Sequence, residues 1–134
     1  MRPKYIKCIY VFLAIVGSTI FSLSGENYIN AQDDNPLQIV SNIKNLLNQT
    51  MTEYKSQNYT GASELVDIAY IDNYEYIEDQ LKELDKDLME DTEIMIREDF
   101  SNAVNDQESI KDISALYTQI KNNLDMIENL FKGK

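Results

Sequence analysis

The chain of 134 residues contains no histidine and no tryptophan, and its single cysteine, Cys8, lies in an apolar N-terminal segment. The absence of histidine excludes Ser-His and Cys-His nucleophiles, histidine acid–base chemistry and His-ligated zinc or haem. With one cysteine, the chain cannot form an internal disulfide, and the part after the apolar segment has no thiol nucleophile or thiolate ligand. No catalytic constellation is left, and we expect the protein not to be an enzyme.

Glycine and proline are also scarce, with four and two residues respectively. The common residues include Leu, Ile, Glu, Asp and Lys, a composition that favours helix over sheet. No segment alternates between apolar and polar residues for long enough to predict a strand. The sequence therefore predicts an all-α fold.

Basic residues are few, since 12 Lys and Arg stand against 23 Asp and Glu, giving a net charge of −11. Such a field repels nucleic acid and anionic membrane surfaces and attracts cations. We therefore expect no nucleic-acid partner. Between Glu64 and Asp99, 14 carboxylates stand against only three basic residues, so this part of the chain holds most of the excess.

The N-terminus has the pattern of an export signal. Basic residues in the first seven positions precede an apolar run of 16 residues, Cys8–Leu23. This run is short for a membrane-spanning helix and typical of a cleaved signal peptide. Cleavage is predicted before Gly25 or after Ala31, so we assign 1–31 to the signal and 32–134 to an extracytoplasmic helical bundle. An uncleaved membrane anchor is the alternative, and in both cases the domain is secreted or held in the cell envelope.

The first and last helices have the clearest patterns. Asn35 can cap a helix that begins at Pro36, because proline suits the first helical position. This helix is expected to end near Ser56. The last helix has apolar residues that recur at steps of three and four, namely Ile110, Ile113, Tyr117, Ile120, Leu124, Ile127 and Phe131.

The middle of the chain predicts two further helices. Thr60 is the expected cap of the second helix, and Asp85 or Asp87 the expected cap of the third, with one long bent helix as the alternative. At about 100° per residue, one face of the second helix is apolar; it contains Ala62, Leu65, Val66, Ala69, Tyr70, Tyr76, Ile77, Leu81 and Leu84. Together the segments predict an up-down antiparallel four-helix bundle after the N-terminal signal helix.

The second helix also contains the candidate metal ligands. In a regular helix Glu64, Asp67, Glu75 and Glu78 share a wedge of about 80°. Carboxylate oxygens suit hard cations such as Fe(III), Ca(II) or Mn(II), and Glu75 and Glu78, one turn apart, could share an ion. Tyr70 or Tyr74 could add a phenolate. The candidate ligands are Glu75, Glu78, Tyr70, Tyr74 and Asp67.

The alternative is an ordinary solvated face, because this wedge lies opposite the apolar face of the same helix. Ile68 and Ile71 lie inside the wedge. They indicate either that another helix or a partner covers it, or that apolar residues are scattered over the surface, which is normal.

A series of landmarks runs from Tyr54 to Arg97, comprising Tyr54, Asn58-Tyr59, Ala62, Ala69-Tyr70-Ile71-Asp72, Tyr74-Glu75, Ile77-Glu78, Leu81, Asp85, Leu88 and Arg97. This order resembles the extracytoplasmic helical domain that precedes the membrane part of many FTR-type iron permeases. The resemblance implies that Glu75 and Glu78 form its Glu-x-x-Glu pair and that Tyr70 is the preceding tyrosine. The permeases' membrane motif, Arg-Glu-x-x-Glu, has no equivalent here, so the resemblance implies a stand-alone domain that does not transport by itself.

Two functions follow as expectations. The first is a non-enzymatic exported bundle that binds iron or another hard cation in an iron-uptake context, with a membrane permease or envelope protein as partner. The second is a structural or interaction module of the cell envelope with no ligand of its own.

Overall fold

The computed structural model describes residues 35–133, and every regular element in this range is helical. The outer helices are α1 (Pro36–Lys55) and α4 (Ile110–Lys132). Helix α2 comprises Tyr59–Ala69, a π-helical turn at Tyr70–Tyr74, and Glu75–Lys82. Helix α3 comprises Lys86–Ile94, a π-helical turn at Met95–Phe100, and Ser101–Asn105. The all-α prediction is confirmed, and the predicted signal, 1–31, lies outside the described residues.

Side-chain caps begin the helices where the backbone N–H groups have no partner within the helix. The Oδ1 atom of Asn35 accepts from the N–H of Leu37 at 3.1 Å, as predicted for α1. Asp85 caps α3 by accepting from the N–H of Leu88 at 3.0 Å. Asn35 is thus confirmed as a cap, as is Asp85 of the two candidates for α3, and these two helices begin where the sequence places them.

The cap of α2 differs from the prediction. Asn58, not Thr60, accepts from the N–H of Gly61, at 3.2 Å, while its Nδ2 atom donates to Glu53 at 2.7 Å. Gln57, just before it, has a positive φ of 66°, the left-handed conformation that commonly ends a helix. The connection between α1 and α2 is therefore shorter than expected, and Thr60 lies inside the first turn of α2.

The core follows the predicted apolar face of α4. It includes Ile113, Ile120, Leu124, Ile127 and Phe131, which are all buried. Ile110, in the first turn, is 47% exposed and contributes little. The period of α4 is therefore that of a regular helix almost throughout.

Helix α2 departs from the regular period at its π turn. A π turn holds one residue more than an α-helical turn, so the rest of the helix rotates by about 100° relative to a regular helix. Tyr74 is consequently fully buried, although a regular helix would place it outside the apolar face. Tyr76, which was predicted to lie on that face, is 60% exposed. That prediction was wrong because it assumed an uninterrupted α-helix.

Both π turns are reflected in the pattern of buried residues. Residues at successive steps of four are buried on α2 (Ala69, Asn73, Ile77 and Leu81) and on α3 (Leu88, Thr92, Ile96, Phe100 and Val104). In a regular helix each step of four drifts by about 40° around the axis. A long series of such steps stays on one face only if an extra residue corrects the drift.

Polar contacts join the helices around this core. Lys44 of α1 forms ion pairs with Asp125, at 2.7 Å, and with Glu128 of α4. The side chain of Asn123 on α4 donates to the hydroxyl of Thr92 on α3 at 3.1 Å. These contacts join α1 to α4 and α3 to α4.

Asn73 provides a test of what holds the π turn of α2. It is buried, and its Nδ2 atom donates to the carbonyl oxygen of Ile68 at 3.0 Å. Asn73→Ala is expected to lower the free energy of unfolding by about 1 kcal/mol, because a partly buried side-chain hydrogen bond is lost. Asp72→Ala, on the exposed side of the same turn, is the control and is expected to change it by less than about 0.5 kcal/mol. Urea denaturation measures both, and equal effects would contradict this role for Asn73.

Candidate functional site

Side chains from α2 and α3 meet beside the two π turns. We define the Tyr70 cluster as Tyr70, Tyr74, Glu78, Glu93 and Arg97, which are linked by hydrogen bonds, ring contacts or charge interactions. π-Helical turns occur frequently at functional sites. Its position beside both turns makes the Tyr70 cluster the candidate functional site.

Glu93 is the acceptor at the centre of the cluster. Its Oε1 atom accepts from the hydroxyl of Tyr70 at 3.2 Å and from Nη1 of Arg97 at 2.7 Å. The guanidinium of Arg97 also lies 5.9 Å from the centroid of the Tyr70 ring, within the range of a cation–π contact. Arg97 thus balances the charge of Glu93.

Tyr74 lies beneath Tyr70. Its ring stacks on that of Tyr70 with centroids 6.3 Å apart, and its hydroxyl donates to the carbonyl oxygen of Met89 at 2.8 Å. Burial raises the pKa of Tyr74 well above its ordinary value. Burial also raises the pKa of Tyr70. Both phenols therefore keep their protons near neutral pH.

Glu78 is the unusual member of the cluster. Its Oε1 atom is fully buried and has no hydrogen-bond partner among the described residues. Burial raises the pKa of Glu78, and the nearby carboxylates of Glu93 and Glu75 raise it further, while Arg97 acts in the opposite direction. Because the π turn rotates the second half of α2, Glu78 lies at the edge of the core instead of on the outer face. A carboxylate in this position holds a proton more readily than one in water.

The structure brings three of the predicted metal ligands into this cluster, namely Tyr70, Tyr74 and Glu78, and leaves Asp67 and Glu75 exposed. The hydroxyl groups of both tyrosines donate hydrogen bonds, that of Tyr70 to Glu93 and that of Tyr74 to the carbonyl oxygen of Met89. Within residues 35–133, no three or more Asp, Glu, His or Cys side chains are grouped so that they could hold a metal ion. Iron binding by the carboxylates stays a prediction.

Two members of the cluster were not among the predicted ligands. Glu93 and Arg97 lie one turn apart on α3, and they reach Tyr70 only because α3 packs against α2. Helical periodicity describes the faces of one helix and gives no pairing between helices. The buried four-residue series include the polar Asn73 and Thr92, so apolar periodicity alone does not indicate the two irregular turns.

The outer face of α2 carries large apolar side chains. Ile68 is 39% exposed, Ile71 53% and Tyr76 60%. Because the π turn holds an extra residue, the step of five from Ile71 to Tyr76 spans one turn. The three side chains thus lie on successive turns, and exposed carboxylates accompany them at Glu64, Asp67, Asp72 and Asp79. We call this set the outer face of α2.

An open groove of about 440 Å³ lies between α3 and α4. Asp91, Ile94 and Asp99 line it from α3, and Asn122 lines it from α4. It is separate from the Tyr70 cluster, none of whose residues line it.

No protein-family model, no curated protein and no solved structure matches this chain. The resemblance to the iron-permease domain therefore stays a prediction. Across the part of the chain that the structure describes, no helix combines the length and apolar character needed to cross a bilayer.

The environment of Glu78 predicts a pH dependence of stability. A carboxyl group whose pKa is raised in the folded state binds a proton there more tightly than in the unfolded state. Its contribution to stability therefore increases as the pH falls from neutrality through the raised pKa of Glu78. Glu78→Gln cannot ionise, so it is expected to stabilise the protein at pH 7 and to lose this advantage near pH 4.

Urea denaturation at several pH values between 4 and 7 measures this difference. Glu83→Gln, which changes an exposed glutamate just after α2, is the matched control and should show no comparable trend. A gap between Glu78→Gln and the unsubstituted protein that is the same at every pH would contradict the assignment.

Proposed function

We propose that this protein is an exported, non-enzymatic interaction module, an acidic up-down four-helix bundle that binds a partner of the cell envelope through the outer face of α2. The observation that carries this proposal is the exposure of Ile68, Ile71 and Tyr76 on successive turns of one helix. Isolated apolar residues on a surface are normal, but contiguous ones mark interaction sites.

The order of contacts along the chain supports the antiparallel arrangement. In an antiparallel pair, residues near the start of one helix contact residues near the end of the other. This order is seen between α2 and α3 and between α1 and α4. For α2 and α3 the pairs are Ser63 with Asn105 and Tyr74 with Met89. For α1 and α4 they are Lys44 with Asp125, and Tyr54 with Glu108, which lies just before α4. Short connections between consecutive helices favour the same topology. The outer face of α2 then points away from the core along much of one side of the bundle.

Apolar burial would contribute to the free energy of binding at this face. Full burial of an isoleucine side chain stabilises by about 1.5–3 kcal/mol, and these side chains are roughly half-exposed. A partner that covers all three would therefore gain on the order of 3 kcal/mol from apolar burial. Glu75, which is exposed beside this face, adds a negative charge to it.

Site-specific photo-crosslinking tests the proposal. A benzophenone amino acid replaces Ile71 in the full chain, produced in its own cells, and replaces the equally exposed Met126 of α4 as the control. We expect a discrete cross-linked species from position 71 and none from position 126. The substitutions Ile68→Ser and Tyr76→Ser, added together, should remove it because they take away the neighbouring apolar contacts.

No adduct from position 71, or the same adducts from both positions, would contradict the proposed interaction. Circular dichroism of each variant serves as the control that the helices are retained.

Cation binding in an iron-uptake context is the second candidate. The specific observation in its favour is the buried Oε1 atom of Glu78, which lacks a hydrogen-bond partner within the described residues. A hard cation accepts such a carboxylate oxygen as a ligand, and Glu93 is the other carboxylate in the cluster. Arg97 already neutralises Glu93, so this candidate ranks below the interaction module.

Calorimetric titration of the full chain with Fe(III)-citrate, Mn(II) and Ca(II) separates this candidate from the first. If the cluster binds a cation, heat is expected with at least one ion and is lost in Glu78→Gln. The control Glu64→Gln, an exposed glutamate of the same helix, should retain the heat. Equal heats in the two variants, or no heat at all, would remove the cation-binding candidate.

A further inference from the structure

We infer that the partner of the outer face of α2 is a cationic amphipathic helix of another extracytoplasmic protein. This inference rests on the proposed function, because it names the chemistry of the partner at the same face. It is argued from charge, from ion pairing and from the spacing of the apolar side chains.

The first argument is the charge of α2. From Tyr59 to Leu81 the chain contains six carboxylates and no basic residue. Five of them, Glu64, Asp67, Asp72, Glu75 and Asp79, are exposed. The apolar side chains of this face therefore lie in a strongly negative field.

The second argument is that these carboxylates are unpaired. The ion pairs within residues 35–133 use carboxylates of α3 and α4, and none uses a carboxylate of α2. Lys44, for example, pairs with Asp125 and Glu128, and Arg97 with Glu93 and Glu98. The protein thus balances much of the negative charge on its other helices and leaves that of α2 available. A partner with Lys or Arg residues would complement it.

The same charge argues against other occupants. A second copy of the chain would bring a net charge of −11 to the same face. Anionic lipid surfaces and nucleic acids are repelled for the same reason. Like charges placed opposite each other across an interface cost free energy and disfavour these partners.

The spacing of the apolar residues favours a helix as the occupant. Ile68, Ile71 and Tyr76 form a line about 12 Å long, at 1.5 Å per residue. The carboxylates extend from Glu64 to Asp79, over about 22 Å. A partner helix of about four turns, with an apolar stripe flanked by Lys and Arg, matches this length and pattern.

Two synthetic peptides test the partner's chemistry. Both have 18 residues and the same leucine stripe, and the flanking positions are Lys in one and Glu in the other. Fluorescence anisotropy with the full chain is expected to show binding of the Lys peptide at least about tenfold tighter than that of the Glu peptide, because only the former complements the face. Raising the salt concentration from 0.05 to 0.5 M should lower the affinity for the Lys peptide by roughly tenfold, because salt screens the attraction between opposite charges.

Matched variants locate the binding. The double substitution Asp67→Lys and Asp72→Lys is expected to lower the affinity for the Lys peptide by at least about tenfold. Asp106→Lys with Glu108→Lys, in the exposed connection between α3 and α4, makes the same change in net charge and should alter binding by less than about threefold. Ile71→Ser should weaken binding, whereas Met126→Ser should not.

The outcomes separate this inference from the proposed function. If the cross-link from position 71 forms but both peptides bind equally, the interaction module stands and the cationic partner is overturned. If both charge-reversal pairs weaken binding equally, the attraction is diffuse and the inference is overturned. Light scattering that shows a concentration-dependent mass, lost in Ile71→Ser, would identify a second copy as the occupant and would also overturn it. If neither the cross-link nor peptide binding is seen, both proposals are overturned.

Discussion

The additional residue in the π turn of α2 is the constraint on which the rest of the structure depends. It allows apolar residues on both sides of Tyr70–Tyr74 to face one core, although their spacing does not fit a regular helix. The same rotation buries Tyr74, moves Glu78 to the edge of the core and turns Tyr76 outward. The Tyr70 cluster and the outer face of α2 are thus two results of one backbone irregularity.

The two faces of α2 also differ in how they treat charge. On the inner side, Arg97 brings a positive charge to Glu93 and lies over Tyr70. On the outer side, carboxylates stand in solvent beside isoleucine without a basic neighbour on the helix before Lys82. A partner of opposite charge would gain free energy at this face in two ways, by burying the apolar side chains and by neutralising the carboxylates. The inner cluster links α2 to α3 through Glu93, and the outer face is where association is proposed.

The sequence was sufficient where the helices are regular. Asn35, Asp85 (one of two candidates) and most apolar steps of α4 were read correctly, because capping and a 3.6-residue period depend on local chemistry. Thr60 was wrong as the cap of α2, because Asn58, two residues earlier, takes that role. The prediction also failed at Tyr76, because periodicity was extended across a turn with a different residue count. The contact of Glu93 and Arg97 with Tyr70 could not be read from either helix alone, since it depends on how α2 and α3 pack.

The π turns also bear on how chains of this fold can diverge. Each π turn accommodates one additional residue within a helix, and the segments before and after it still face the core. Loss of one residue at either place would therefore straighten the helix without inverting its inner and outer sides. Homologues that lack the extra residue are then expected to align with a one-residue gap in the middle of a helix, at 70–74 or 95–100.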